Sequence, residues 1–399
     1  MADASVASFL AGLREYDLLT PAQWQQLGDV PEDFQTLARA LTCRQWLTEY
    51  QVNEIKGGRA AELTWGPYVV LDRLGDGGTG RLFKARHRFR ERLAAVKVLR
   101  EDLFSPSDQA GPLLDRFRRE PRALAALLAH PHVVDVFDAG QQRGRWFLAM
   151  AYLEGTDLQT LVQAQGPLPI GRACSYTWQA ALGLQHLHEH HMVHRDIKPG
   201  NLLVNAADGQ VKILDLGLVR VLQGGRAHET TWELPCAGVQ MGTPAYMAPE
   251  QAADPHQVDI RADVYSLGRT LCFLLRGQVP DPSEGAEVVA QLRPEVPAAL
   301  RGVLRRMTAA RPQDRYAAPA QVAAALARFC DLPPGPGHRV AATASGQPAR
   351  ASGPQTASVI GASRSGRPIW RSPWMTLVLL ACLLLLGLEL LAALAWLLG

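Results

Sequence analysis

The sequence predicts an α+β protein with two lobes, of which the first is β-rich and the second is α-rich. Residues 65–105 carry short apolar runs of strand type joined by turns, whereas residues after Asp157 are mostly of helical type. A small helical region precedes the lobes, and a long apolar segment follows them. We therefore expect an N-terminal helical region, a bilobal α+β domain and a single C-terminal transmembrane helix.

Composition limits the classes of function. With 399 residues, 47% of them hydrophobic and 20% charged, the chain can bury a core. The formal net charge of +3 is small and no long Lys/Arg block occurs, so no nucleic-acid partner is expected. The six cysteines are scattered without CxxC or zinc spacing, which favours a reducing compartment. The N-terminus lacks the pattern of a signal peptide.

Residues 1–60 form the predicted helical region. Thr20 followed by Pro21 is typical of a helix start. Residues 18–23 weakly resemble residues 46–51, which suggests two related helical hairpins. A regulatory or docking role and a plain structural cap both remain open for this region.

The predicted bilobal domain covers residues 65–330. Strands are expected at residues 68–71, 81–85, 93–99, 133–138 and 146–152, with a helix at residues 113–129. Gly75-Asp76-Gly77-Gly78-Thr79-Gly80 fits G-x-G-x-x-G, a pattern that dinucleotide-binding folds share. Here a strand follows the motif, so we expect a hairpin that can lie over phosphates.

The most specific motif is His194-Arg195-Asp196-Ile197-Lys198-Pro199-Gly200-Asn201. It places an acid, a lysine and an amide at fixed offsets, the groups needed to orient a hydroxyl, hold a phosphoryl group and bind a metal. Asp215-Leu216-Gly217 and Ala248-Pro249-Glu250 follow in order, and Lys97 precedes them in an apolar strand.

Taken together, residues 68–329 resemble the eukaryotic-type (Hanks-type) Ser/Thr protein kinases of bacteria, and residues 1–60 resemble the helical preface of some planctomycete kinases. The resemblance implies a bilobal protein kinase fold and ATP-dependent phosphorylation of Ser/Thr hydroxyls on protein substrates, including autophosphorylation. It also implies ATP and Mg²⁺ or Mn²⁺ as cofactors.

The resemblance assigns the catalytic roles to Asp196, Lys198 and Lys97, and metal binding to Asn201 and Asp215. The nucleotide-contacting set that it implies is Gly75, Asp76, Gly77, Gly78, Thr79, Gly80, Leu82, Ala95, Lys97, Glu120, Met150, Ala151, Leu153, Asn201 and Asp215. Within this set, Met150 is the gatekeeper, and the backbone of Ala151 and Leu153 bonds to adenine. Asp157 either caps the next helix or reaches the ribose, with capping the stronger expectation.

One position departs from the family pattern. Glu120 is the expected carboxylate partner of Lys97, but Pro121 follows it directly. Proline disfavours helical dihedrals at the preceding residue, so the helix either begins near Pro121 or is kinked there.

Other residues have regulatory or structural roles by resemblance. Arg195 needs an anion, which phosphorylation of Thr230 or Thr231 would supply, although ordinary loop threonines are the alternative. Thr243 is expected to line the substrate site and contact Asp196 and Lys198. Three further residues are structural: Glu250 pairs with Arg315, and Asp263 holds the catalytic loop.

Residues 331–373 are rich in Pro, Gly, Ser, Ala and Arg, which predicts a flexible linker. Residues 374–398 contain Thr376 and Glu389 as their only polar residues and would span roughly 37 Å as a helix, enough to cross a bilayer. Arg364, Arg367 and Arg371 precede this segment, so the kinase domain is expected on the cytoplasmic side of the inner membrane. A buried core helix is the alternative. No outer domain is expected after Gly399, and helix pairing would allow a homodimer.

Two other classes of function are alternatives for this sequence. A pseudokinase that acts as a scaffold or binding module would have lost a catalytic acid or a metal ligand, whereas Lys97, Asp196, Lys198, Asn201 and Asp215 are all present. A small-molecule kinase would lack the long segment that here ends at Ala-Pro-Glu250.

Overall fold

The computed structural model describes residues 6–28, 31, 33–100, 129–215, 243–253 and 258–331. The chain divides into two compact units, residues 1–340 and 341–399, and all the described residues belong to the first. Glu120, Thr230, Thr231 and the apolar segment 374–398 lie outside the described residues, as does nearly all of the predicted helix 113–129. Within the described part, no helix is long and apolar enough to cross a membrane.

The N-terminal region and the first lobe contain, in chain order, α1 (Val6–Glu15), α2 (Pro21–Leu27), α3 (Phe34–Cys43), α4 (Glu49–Lys56), a 3-10 helix (Ala60–Leu63), β1 (Thr64–Trp65), β2 (Tyr68–Gly77), β3 (Gly80–His87), β4 (Leu93–Leu99), β5 (Val136–Gln142) and β6 (Arg145–Ala151). The second lobe contains β7 (Gly155–Asp157), α5 (Leu158–Gln165), α6 (Ile170–Glu189), β8 (Leu202–Asn205), β9 (Val211–Ile213), α7 (Pro249–Ala253), α8 (Ile260–Arg276), α9 (Ala298–Met307) and α10 (Pro319–Leu326), with short 3-10 turns between them.

An antiparallel sheet of six strands in the order β1-β2-β3-β4-β6-β5 forms the first lobe. The strands predicted at residues 68–71, 81–85 and 93–99 correspond to β2, β3 and β4. β2 is longer than predicted because it runs on into the glycine motif, and Gly77 pairs with Gly80 across a tight turn. The glycine motif is therefore the tip of a β-hairpin, as the following strand predicted.

The four N-terminal helices pack on one face of this sheet. Phe9, Leu13, Leu37 and Leu41 belong to the same buried cluster as strand residues such as Phe83. Strand residues alternate in direction, so the other face is left for the lobe interface. The helices and the sheet thus share one hydrophobic core, and burial of this apolar surface stabilises both.

The weak sequence repeat has a structural counterpart. Thr20 and Gln23 form a capping box at the start of α2, in which each side chain bonds to the backbone N–H of the other residue. Thr48 and Gln51 form the same capping box at the start of α4. Each box satisfies backbone groups that a helix start otherwise leaves unpaired.

The second lobe is built around α8, which is buried along nearly its whole length. α6 packs beside α8 and α10, and a small sheet in the order β7-β8-β9 lies next to the lobe interface. The Asp157 carboxylate accepts from Thr160 N at 2.9 Å and caps α5, which confirms the expected capping role.

A cluster of histidine rings joins the start of β5 to the end of α6. The His130 ring stacks on His186 with centroids 4.8 Å apart, and His186 lies 4.5 Å from His190. The pKa of His130 is lowered from its ordinary value of 6.5 to about 4, mainly by burial and then by the positive charges of His186, His132 and Lys212, while Glu189 opposes the shift. Folding therefore favours the neutral ring.

Because the folded-state pKa of His130 lies below its unfolded value, its contribution to stability is complete above about pH 6.5 and is lost as the pH falls towards about 4. We expect the melting temperature to drop between pH 7.5 and pH 4.5, and to drop less in His130→Asn. The matched control is His188→Asn, which lies on α6 with His186 but outside the described ring contacts. Equal drops in all three proteins would contradict this role of His130.

Candidate functional site

The loop 190–201 is held in place by hydrogen bonds to Asp263 of α8. The Asp263 carboxylate is fully buried and accepts hydrogen bonds from the backbone N–H groups of His194 and Arg195, each at 2.7 Å. Burial raises the pKa of Asp263, while the charge of His194 and these two N–H donors oppose that rise. The imidazole of His194 bonds to Leu214 O at 2.9 Å, which ties the loop to the residues just before Asp215.

Arg195 has a left-handed backbone with φ of 63°, a conformation that costs free energy for a residue with a side chain. Its N–H is held by Asp263 and its carbonyl accepts from Gln251 Nε2 at 2.9 Å, so the strained turn is fixed on both sides. Burial lowers the pKa of the Arg195 guanidinium, as expected for a cation withdrawn from water.

Beyond this turn, Asp196, Lys198 and Asn201 come together. Lys198 Nζ donates to Asp196 Oδ2 at 2.9 Å, and Asn201 Nδ2 donates to Asp196 Oδ2 at 3.0 Å and to its carbonyl oxygen at 2.7 Å. Both described side-chain bonds to the carboxylate end on Oδ2. Oδ1 is therefore in a position to accept a proton from another group.

Lys97 and Asp215 meet where the two lobes face each other. The Lys97 ammonium, 10% exposed on β4, forms an ion pair with Asp215 Oδ1. Asp215 has a φ of 56°, and the preceding Leu214 N–H donates to Asn201 O at 2.8 Å. Asp215 is thus held beside Asn201 and beside the lysine.

This arrangement fits a hard divalent cation together with phosphate oxygens. Because Asn201 uses its amide nitrogen to bond Asp196, its side-chain oxygen remains available as a ligand beside the Asp215 carboxylate. Oxygen ligands of this kind suit Mg²⁺, which usually takes few protein ligands and completes its shell with phosphate and water. Among the described residues, no group of three or more His, Cys, Asp or Glu side chains could hold a metal ion.

The glycine hairpin is connected to this charged cluster through β4, the strand that pairs with β3 and carries Lys97. At Gly80 a side chain has no room, because a Cβ atom would lie 2.2 Å from the carbonyl oxygen of Val98. Leu82 pairs with Lys97 in the β3–β4 ladder, so the hairpin and the lysine are in fixed register. The hairpin residues Gly75, Asp76, Gly77, Gly78, Thr79 and Gly80 thus lie on the strand pair that carries Leu82.

Apolar residues of the first lobe and of the chain just after β6 lie near the base of the hairpin. Ala95 pairs with Met150 across β4 and β6, and both are buried. Leu82, Ala151 and Leu153 are partly buried against the same hydrophobic cluster. The Ala151 N–H donates to Asp135 O at 2.8 Å. The structure therefore brings the predicted adenine-contacting residues together at the hinge between the lobes.

Comparison with known families agrees with this geometry. Residues 68–328 match the protein kinase domain family. The chain belongs to that family. The kinase domain thus begins at the first residue of β2 and ends just after α10.

Several curated bacterial proteins are similar to this chain. Serine/threonine-protein kinase PknH of Mycobacterium bovis is 34% identical over 275 residues, which cover 65% of this chain and 44% of PknH. Serine/threonine-protein kinase PrkC of Bacillus subtilis is 30% identical, with 63% of this chain and 38% of PrkC covered. Pkn1 of Myxococcus xanthus is 37% identical, with 63% and 36% covered. The chain spans less than half the length of these relatives.

In the kinase domain, Glu250 and Arg315 form the predicted structural pair. The bond from Arg315 Nη1 to Glu250 Oε1 measures 2.5 Å, and that from Nη2 to Oε2 measures 2.8 Å. Arg315 is 2% exposed and also donates to the carbonyl oxygens of Ala309, Arg261 and Ala310. The ion pair joins the start of α7, which carries Glu250, to the loop before α10, which carries Arg315.

Thr243 does not make the contact expected from its sequence. Among the described residues, its side chain forms no hydrogen bond with Asp196 or Lys198, and Lys198 bonds to Asp196 instead. Thr243 begins the short 3-10 turn Pro244–Tyr246. The roles predicted for Glu120, Thr230 and Thr231 concern residues outside the described part and stay predictions.

Two buried polar residues were missed by the sequence reasoning. Gln251, 4% exposed, accepts from Ala248 N at 3.1 Å and donates to the carbonyl of Arg195. Arg269, 1% exposed on α8, donates to the carbonyl oxygens of Ala245, Gly285 and Asp281 and so holds the turn after Thr243. The available signal was that Arg269 is the only charged residue between Asp263 and Arg276 of α8, because a buried cation needs several acceptors.

We expect substitutions at Glu250 and Arg315 to have strongly non-additive effects on the free energy of unfolding. Breaking a buried ion pair from one side leaves an uncompensated charge and costs about 3–5 kcal/mol of unfolding free energy. In a double-mutant cycle by urea denaturation, Arg315→Met and Glu250→Gln together should cost clearly less than the sum of the single changes. The control is Arg311→Met, whose exposed pair with Asp314 should contribute little. Additive losses would show that the pair is not coupled.

Proposed function

We propose that this protein is a serine/threonine protein kinase that transfers the γ-phosphoryl group of ATP to hydroxyls of protein substrates and of itself. The observation that carries the proposal is the bonding of Asp196, in which Lys198 and Asn201 both hold Oδ2. The same loop lies beside Asp215 and below the glycine hairpin. The names of PknH, PrkC and Pkn1 as serine/threonine-protein kinases support it.

In the proposed reaction, the oxygen of a Ser or Thr side chain forms a bond to the γ-phosphorus while the bond to the bridging oxygen of ADP breaks. Asp196 orients the hydroxyl and accepts its proton. Lys198 lies at the Asp196 carboxylate and stabilises charge on the transferring group. Lys97 neutralises the α- and β-phosphates, and the glycine hairpin offers them backbone N–H groups.

The proposed cofactor metal is Mg²⁺, held by Asp215 and Asn201; Mn²⁺ would fit the same oxygen ligands. The metal ion would neutralise the negative charge of the phosphates.

We propose that Glu120 is the carboxylate partner of Lys97, and that Thr230 and Thr231 are phosphorylated to provide an anion for Arg195. Protein substrates are the proposed partners, and no nucleic-acid partner is proposed.

Asp196→Asn is expected to remove activity almost completely, because the amide keeps the shape of the carboxylate but cannot accept the proton. Transfer of labelled phosphate from ATP to the protein itself and to a basic protein substrate should fall by at least about a hundredfold, since general-base catalysis contributes that much. Nucleotide binding should remain. The control is Asp208→Asn, an exposed turn residue before β9.

The outcome that contradicts the proposal is equal labelling by the wild type and Asp196→Asn. A wild type that binds nucleotide but labels neither itself nor a protein substrate would instead favour a pseudokinase scaffold.

We further propose that residues 374–398 anchor the protein in the inner membrane as a single transmembrane helix, with the kinase domain in the cytoplasm and residues 331–373 as a flexible linker. The apolar length and the three preceding arginines support this arrangement. Pairing of these helices would support a homodimer. The helical region before the kinase domain supports a planctomycete-like type.

Fractionation of cells tests the proposed anchor. The full-length protein should sediment with the membrane after a carbonate wash, whereas a chain ending at residue 373 should be released. A Leu385→Arg substitution should weaken the anchoring, because a charge at the centre of a transmembrane helix costs about 2.5–3.5 kcal/mol. A full-length protein that stays in the supernatant would contradict the anchor.

A further inference from the structure

The glycine hairpin has one unpaired edge. β1 pairs only with Tyr68 and Val69 of β2. From Val70 onward, the side of β2 away from β3 has no neighbouring strand in the described part of the sheet. An edge strand leaves backbone groups without partners, which costs free energy where the edge is buried.

α4 supplies partners for this edge. Gln51 Nε2 donates to Val70 O at 2.6 Å, and the Thr48 hydroxyl donates to Leu71 O at 2.6 Å. Gln51 is only 2% exposed, so its amide is committed to this contact. These are side-chain bonds from the helical region to the strand that becomes the glycine motif four residues later.

The position of these bonds matters because β2 is irregular between them and the glycine motif. Its pairing with β3 shifts register between Val70 and Asp72 and again between Arg73 and Gly75. Such bulges bend a strand and increase its twist. The direction in which the hairpin leaves the sheet therefore depends on what holds the strand before the first bulge.

A second contact reaches the returning strand. Glu62, in the 3-10 helix after α4, bonds to Arg81 Nη2 at 3.2 Å and also to Arg145 on β6. Arg81 pairs with Asp76 across the hairpin. The Tyr50 ring of α4 lies 6.5 Å from the Phe83 ring on the same face. The helical region thus holds both strands of the hairpin and fastens them to β6.

We propose that the N-terminal helical region is a positioning element for nucleotide binding. In it, Thr48, Gln51 and Glu62 set the direction in which the glycine hairpin leaves the sheet, and so its position over the phosphates. This inference rests on the proposed kinase function. These residues act through the strand backbone and through Arg81. Their loss should lower affinity for ATP more than the turnover of bound ATP.

The internal repeat provides a matched control. The pair Thr20 and Gln23 forms the same capping box as Thr48 and Gln51, but its described hydrogen bonds are those of the cap alone. Thr20→Val with Gln23→Met and Thr48→Val with Gln51→Met therefore remove equal helix caps. Only the second pair also removes the bonds to Val70 and Leu71.

The test uses full-length protein in lipid nanodiscs and measures the KM for ATP, kcat and the dissociation constant of a fluorescent ADP analogue. The loss of the two hydrogen bonds to β2 is expected to raise the KM for ATP roughly tenfold, with a smaller change in kcat. The α2 pair should leave KM unchanged. Thr48→Ser alone, which keeps the hydroxyl, should retain the wild-type value.

Two further variants keep the test decisive if the double variant of α4 does not fold. Gln51→Glu retains the acceptor for the cap but removes the amide donor to Val70, and Glu62→Gln removes the charge that binds Arg81. Both should raise the KM for ATP. Equal effects of the α2 and α4 pairs on KM, or no effect of any α4 variant in an active enzyme, would overturn the inference. A wild type that does not bind the analogue would count against the proposed function instead.

Discussion

The buried carboxylate of Asp263 is the constraint on which the site depends. It lies at the start of a helix that is buried along nearly its whole length, and it accepts the backbone N–H groups of His194 and Arg195. A left-handed turn at Arg195 would not persist by itself, because its conformation is unfavourable for a residue with a side chain. The core of the second lobe therefore supplies the free energy that holds Asp196 in place.

The first lobe reaches the same site in a different way. Its sheet has a buried core on the face covered by the N-terminal helices, and the opposite face carries Leu82, Ala95 and Lys97 towards the second lobe. The glycine hairpin is an extension of two of its strands and has no core of its own. Its position is set by register, by the close approach at Gly80 and by contacts from α4 and Glu62.

One contact between the lobes is an ion pair, in which Lys97 comes from the first lobe and Asp215 from the second. Asp215 is in turn tied to Asn201 through the backbone bond of Leu214. Lys97, Asp215, Asn201 and Asp196 thus form one connected polar network, in which a change at one member alters the others.

The sequence by itself determined the strands of the first lobe and the helix caps at Thr20 and Asp157, because these depend on local periodicity and local hydrogen bonds. The spacing of the motifs predicted the catalytic residues. It could not decide that Gln51 bonds to Val70, that Arg269 holds Ala245, or that Thr243 does not bond to Lys198. Each of these outcomes concerns residues far apart in the chain or the choice among several acceptors within reach. Only the packing of the two cores brings such groups to hydrogen-bonding distance, and so only the tertiary structure decides them.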